Sequence, residues 1–418
     1  MKPPIQPIVP ERQFNAVKKQ KSGRTPTHIE YKNIDPRIET ALYYGFTPLS
    51  TPLSITKEDH EKAKMLGDAS KADSLCLMPT LQEKAAMFRY FEEKHMSEYG
   101  HPIMFSAEFT PSGKLKDKSD KHRLTFEIMG SNKSIAEATL IQTGLATLKN
   151  EGHNELSVAL NSVGDRESLN RFVRELTNYY RKHIASLPQA CKTLLRKNPI
   201  ELLTCDHEKC RTLAEEAPQS ISFLGDESRR HFKEVLEFLE ELEIPFGIDP
   251  KLISNRLFAS ETLFEIRETT ENGTTRPLCS GVRYNTLGKR LGLKREVPSI
   301  GMNLLLSRSK KESAATRRVL FKRPSIFFFQ LGFCAKLKSL RVIETLRKAG
   351  IPLYQSLNRD KLLSQVSSIE NMKIPYSIIL GQREALENSV IVRNTQNRAQ
   401  ETVKLHQLAD HLKKLKLA

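Results

Sequence analysis

From Ser325 to the end, short runs of β-branched and aromatic residues alternate with helical stretches. The runs SIFFFQLG, IPLYQSL, PYSIILG and SVIVRNT read as strands. AKLKSLRVIETLRKAG and RDKLLSQVSSIENMK read as helices, and a last helix is expected from about Ala399. A chain that returns to a strand after each helix of about 10 to 15 residues folds most simply as an α/β unit. The alternation therefore predicts a separate domain over 325–418 with a mostly parallel sheet. Gly350 ends its first helix at the position after the C-cap.

The text before this domain has a different grain. Residues 1–33 are rich in Pro, Lys and Gln without an apolar period, and read as a flexible arm. A short helix from Ile38 to Tyr44 stops at Gly45. GFTPLSTPLSI carries two prolines, which suits an edge strand. Thr56, followed by Lys57, Glu58 and Asp59, reads as a helix N-cap with acids in the first turn. A helix over 81–95 places Leu81, Ala85 and Phe88 on one face. Strands at 103–109 and 122–129 flank the charged connection SGKLKDKSDK, a hairpin with a long loop. A helix over 134–150 and a strand over 154–161 follow.

The block 165–242 is almost wholly helical, with many i,i+4 charge pairs, and reads as an insertion between β-containing segments. Strands return at 245–248, 262–268 and 276–284, with a turn at Gly273. TLGKRLGL reads as a helix. The apolar run SIGMNLLLSRS (299–309) also reads as a helix, ending near Arg308. The expected organisation is an arm (1–33), a core (34–164 and 243–310), the helical insertion (165–242), a basic linker (311–324) and the final domain (325–418).

Charge separates these parts. Residues 1–285 hold 40 Lys+Arg and 40 Asp+Glu; residues 286–418 hold 26 and 9, a net of +17 that is the excess of the whole chain. Cations concentrated in this way favour a polyanionic partner, nucleic acid first. No apolar run approaches the ~20 residues that cross a bilayer, and the prolines of MKPPIQPIVPERQ break any leader-like stretch. A cytoplasmic protein with no membrane partner is expected. Its 6 cysteines are expected to be reduced thiols.

Local motifs are sparse. The chain has no GxxxxGK[ST], no GxGxxG after a strand, no HExxH and no GxSxG. Cys191, Cys205, Cys210 and His207 offer thiol and imidazole ligands. However, the spacing between Cys205 and Cys210 is loose for a structural zinc site and the stretch is helical. The expectation is ordinary helix residues and no metal. Arg123, Thr125 and Glu127 recur with period two, so they share one strand face, which composition favours as solvated. In CSGVRYNTL, Gly281 stands close to Arg283 and Tyr284, a pattern suited to close backbone approach to a ligand.

Taken in order, these pieces resemble the histidyl-tRNA synthetase family of class II aminoacyl-tRNA synthetases. YGFTPLSTP resembles the family's first motif, a proline-bearing strand at the dimer interface. LNSVGDRES, LLRKNPIELLTC, LAEEAP and FLGDESRRHFKEVLEFLEELEIPFGIDPKL follow its insertion domain. SGVRYNTL resembles the histidine motif GGRYDGL, and GMNLLLSR resembles motif three. GIPLYQSL and PYSIILGQREALENSVIVRNTQNRAQETV resemble its anticodon-binding domain. The resemblance implies an α+β fold: an antiparallel class II sheet core with a helical insertion, followed by an α/β anticodon-binding-type domain. It implies a homodimer, histidine tRNA as partner, and ATP with Mg2+ as cofactors of any activation reaction. It assigns Glu127 to the carboxylate that holds the amino group of histidine. It also assigns Arg123, Arg283 and Tyr284 to substrate binding, and Arg308 to the nucleotide-binding arginine of motif three.

Several positions depart from the family pattern. Motif two's FRxE reads Glu108-Phe109-Thr110-Pro111, without the arginine. LVRGLDYY aligns with Leu252 to Ala259, so Ser254 replaces the catalytic arginine and Ala259 the second tyrosine, with Arg256 two residues away. RPEGT aligns with Met78 to Gln82 and loses its carboxylate. Leu305 and Ser307 replace the Gly and Glu that usually precede the motif three arginine. One lost transition-state charge typically costs ~10²–10³ in rate. The expectation is a tRNA-binding homologue with weak or lost histidine activation, a pseudoenzyme. The alternatives are a working histidine–tRNA ligase with a rearranged site, and a regulatory or structural partner of an active synthetase.

Overall fold

The computed structural model describes residues 34–67, 77, 79–96, 102–109, 121–253, 258–307, 320–359, 365–366 and 374–417. The arm at 1–33, the hairpin loop at 110–120 and most of the basic linker lie outside them, as do Ser254, Arg256 and Arg308.

The chain opens with α1 (Pro36–Tyr43), β1 (Thr47–Pro48), α2 (Lys57–Met65) and α3 (Leu81–Glu93). Thr56 and Thr80 each form a capping box, with Asp59 and Glu83 respectively. Next come β2 (Ile103–Ala107), β3 (Lys121–Met129), α4 (Ile135–Asn150) and β4 (Leu156–Gly164). The helical block contains α5 (Arg166–Lys182), α6 (Gln189–Lys197), α7 (Glu208–Glu215) and α8 (Asp226–Glu241). Asp165 caps α5 by accepting from the Ser168 amide at 2.8 Å. Phe172, Leu176 and Tyr180 on α5, one turn apart, pack a small core with Leu187, Cys191, Leu195 and Cys210.

After β5 (Phe246–Ile248) come β6 (Glu261–Thr269), β7 (Thr275–Arg283), α9 (Leu287–Arg290) and β8 (Ser299–Ser307). The first sheet has eight strands in the order β1-β2-β3-β8-β7-β6-β4-β5. It is antiparallel except at its margins, where β1 runs parallel to β2 and β5 to β4. The proline-bearing β1 is an edge strand, as expected.

Residues 299–307 form strand β8, correcting the helix expected there. β8 lies between β3 and β7. Ser299, Ile300, Met302, Asn303, Leu304 and Leu306 are all buried, on both faces of the sheet. A strand covered on both faces loses its polar alternation, so its apolar run matches that of a buried helix.

The second sheet has the order β10-β9-β11-β12-β13, from β9 (Ile326–Gln330), β10 (Tyr354–Gln355), β11 (Tyr376–Leu380), β12 (Ser389–Asn394) and β13 (Gln400–Lys404). Helices α10 (Phe333–Lys348), α11 (Gln382–Leu386) and α12 (Leu408–Lys414) complete it. Two corrections apply here. The sheet is parallel only from β10 through β9 to β11, and antiparallel from there to β13. The helix expected from Ala399 begins at Leu408, because residues 400–404 pair with β12 as an edge strand that buries only Val403. Its backbone partners, not its side-chain period, make it a strand. Of the helix expected over 359–373, Gln365 and Val366 are described and helical.

The two sheets share one apolar core, joining α4 and α8 to α10. Tyr44 donates to Glu344 on α10 at 2.5 Å, and the Gln355 side chain donates to the Tyr44 carbonyl at 3.1 Å. No helix among the described residues is long and apolar enough to cross a membrane.

Candidate functional site

The face of β3 that carries Arg123, Thr125 and Glu127 is covered by α3, which corrects the solvated reading. The Thr80–Glu83 capping box fixes where α3 starts. From there Leu81, Lys84, Ala85, Phe88 and Phe91 form a continuous buried stripe. Lys84 is thus a cation on an apolar helix face. Glu83, one residue earlier, accepts from the partly exposed Arg123, and Lys84 donates to Oε1 of Glu127. Thr125 donates to Asn303 of β8 at 2.8 Å.

Tyr284, just past β7, donates its hydroxyl to Oε2 of Glu127. Lys84 Nζ lies 3.3 Å from that hydroxyl and 4.3 Å from the ring centroid. Phe88 packs edge-on against the Tyr284 ring, centroids 6.0 Å apart. Lys84, Glu127 and Tyr284 are all at 0% exposure. Gly301 stands opposite Glu127 on β8, where a Cβ would meet Oε1 at 2.1 Å. Only glycine leaves room for the carboxylate.

Burial pushes Lys84 below the usual lysine range and Glu127 above the usual carboxylate range, each against the pull of the other's charge. Burial, and then the Glu127 charge, push the Tyr284 phenol up, which keeps it a donor. The arrangement holds a primary ammonium against a carboxylate and an aromatic face, all three side chains out of reach of solvent. The ammonium it holds is the chain's own.

Arg283 points to the opposite face from Tyr284, as successive strand residues do. It grips Glu137 on α4 through Nε and Nη2, each at 2.5 Å, and donates to the Ser131 carbonyl at 2.7 Å. His231 on α8 contacts the same carboxylate at 2.7 Å. Glu137 and Arg283 are both at 0% exposure. Burial would raise the Glu137 carboxyl, but Arg283 and then His231 outweigh it and hold it at about 2. The structure therefore brings together Glu127 and Tyr284, sets Arg123 at the end of the same face, and places Arg283 in a separate buried network.

One residue escaped the sequence reading, and one cluster weighed there was read as ordinary helix residues. Lys84 was legible as a charge at the i+3 position from Leu81 within an apolar stripe. The thiols of Cys191, Cys205 and Cys210 converge within 4.8 Å of one another, whereas His207 is exposed and outside the group. Helical context alone does not report which helix ends meet.

Comparison with known proteins bears on the whole chain. Residues 335–415 match the family model described as an anticodon binding domain. The histidine–tRNA ligase of Dehalococcoides mccartyi is 31% identical over 296 residues, covering 70% of this chain and 70% of that protein. The histidine–tRNA ligase of Halothermothrix orenii is 30% identical over 317 residues, 75% of this chain and 74% of that protein. The apo histidyl-tRNA synthetase of S. aureus superposes with a TM-score of 0.49 at 21% identity, covering 90% of this chain and 93% of that one.

Proposed function

The chain belongs to the histidyl-tRNA synthetase family, and we propose that it is a tRNA-binding member whose histidine-activation site is closed by its own Lys84. The buried contact of Lys84 with Glu127 carries this reading. The family resemblance assigns Glu127 to the amino group of histidine. Here each oxygen of that carboxylate already has a donor, one from Lys84 and one from Tyr284. A bound amino acid would have to expel an ammonium that is sealed under α3. Leaving that ammonium buried and unpaired costs several kcal/mol, about 3–5 for such pairs.

The residues present do not fit ATP and Mg2+ as the family resemblance places them. By that resemblance Glu108-Phe109-Thr110-Pro111 lacks the motif two arginine, and Ser254 replaces the catalytic arginine. No adenylation step is therefore assigned to this chain. The anticodon-binding match and the +17 of residues 286–418 support retained tRNA binding. A cytoplasmic homodimer, with β1 near the interface, belongs to the same reading.

Two assays on the purified full-length chain test it. Filter binding should show affinity for tRNA that falls steeply between about 50 and 200 mM salt, as phosphate contacts require. Histidine-dependent pyrophosphate exchange with ATP should stay at background. Exchange well above background would overturn the closed-pocket reading in favour of a working ligase. Absence of tRNA binding at low salt would overturn the RNA-binding reading and favour a regulatory or structural role.

A further inference from the structure

Cys191 is the third residue of α6, Cys205 follows the 3-10 turn Pro199–Thr204, and Cys210 is the third residue of α7. The sequence separates them, but the packing of both helices on that 3-10 turn returns them to one point. All three sulfurs lie within 4.8 Å of one another, and those of Cys191 and Cys205 are 3.7 Å apart. Cys191 and Cys210 are buried, and Cys205 is partly exposed. A zinc–sulfur bond is about 2.3 Å, so two sulfurs on one tetrahedral zinc ion stand ~3.8 Å apart. The Cys191–Cys205 spacing is already that of a coordination edge.

A second observation points to the same place. Tyr180 on α5 is at 0% exposure, and its hydroxyl has no hydrogen-bond partner among the described residues. Tyr180 packs in the same buried cluster as Cys191 and Cys210, with Cys205 against it. A buried donor without an acceptor costs about 1–3 kcal/mol. Neutral thiols are poor acceptors, whereas metal-bound thiolates are good ones. Outer hydrogen bonds of this kind regularly support metal ligands.

We propose that Cys191, Cys205 and Cys210 bind a zinc ion through three thiolates, with Tyr180 donating its hydroxyl to a bound sulfur. Binding replaces three S–H bonds with three zinc–sulfur bonds and releases three protons, and no electron moves. Water takes the fourth position, entering beside Cys205, the cluster's partly exposed member. Zinc binds the thiolate form, so each ligand gives up its proton as the cation enters. A disulfide would use two of the sulfurs and leave the third without a role. One soft cation uses all three. The site clips α6 and α7 to each other, which suits a small helical unit with a modest core.

The test uses the full-length chain, purified with reductant and equilibrated with zinc. Metal analysis should find about one zinc per chain. Replacement by cobalt should give a sulfur-to-metal charge-transfer band and visible d–d bands of a four-coordinate site. Cys205→Ser, chosen because Cys205 is partly exposed, should weaken zinc binding at least about tenfold with an unchanged circular dichroism spectrum. His207→Ala should leave zinc binding unaltered. Less than a tenth of a zinc per chain, zinc binding by Cys205→Ser as tight as by the parent, or loss of zinc in His207→Ala each overturns the proposal. Recovery of a disulfide between two of these cysteines from the reduced preparation does so as well.

Discussion

Lys84 and Glu127 form an ion pair in which neither side chain reaches solvent, across the contact between α3 and β3. It joins residues 43 positions apart in sequence and places a cation where the family resemblance places a substrate amino group.

Removing the lysine leaves the carboxylate and its phenol donor buried with a cavity. Lys84→Ala is expected to lose about 3–5 kcal/mol of stability, and the double variant Lys84→Met/Glu127→Gln about half of that or less. Urea unfolding checks both. A small primary amine such as propylamine should raise the melting temperature of Lys84→Ala and leave the parent chain unaffected. No difference between the two would show that the cavity does not recognise an ammonium.

Glu137 gives the fold an acid dependence of defined sign. Its carboxyl is held at about 2 against an ordinary 4.5. The folded chain therefore takes up this proton less readily than the unfolded chain. The resulting stability, about 3 kcal/mol, is fully present above the unfolded value and is lost as pH falls towards 2. Glu137→Gln should lower stability at neutral pH, because Arg283 loses its partner. It should also flatten the fall in the urea midpoint between about pH 4.5 and 2. An unchanged slope would mean that other carboxylates set the acid limit.

Gly301→Ala tests the tightness of the same pocket without removing a charge. The added methyl would meet the Glu127 carboxylate at 2.1 Å, closer than any real contact. A loss of about 1–3 kcal/mol is expected, the usual cost of overpacking a core. Combining it with Glu127→Ala should recover part of the loss if the carboxylate is what the methyl strikes. Equal losses with and without Glu127 would place the strain in β8 itself.

Elements whose pattern is local were legible in the sequence. The apolar stripe of 81–91 specifies α3, and Thr56 specifies the start of α2, because capping and helical period act within one or two turns. The period-two recurrence of Arg123, Thr125 and Glu127 gave their shared face. β8 was not legible, since burial on both faces erased its alternation. β13 was not either, because only its pairing with β12 makes Gln400–Lys404 a strand.

The sequence by itself determined most of the order of elements, the concentration of positive charge after residue 285, and the lack of an arginine at Glu108–Pro111 and at Ser254. Only the tertiary structure decided what covers Glu127 and that the three thiols converge. Whether a buried lysine meets a carboxylate, or whether Cys191 meets Cys205 and Cys210, depends on how helices and strands distant in sequence pack. The energy of such contacts comes from desolvation and geometry that exist only after packing. In the sequence Lys84 is one charge among many; in the fold it is the buried partner of Glu127.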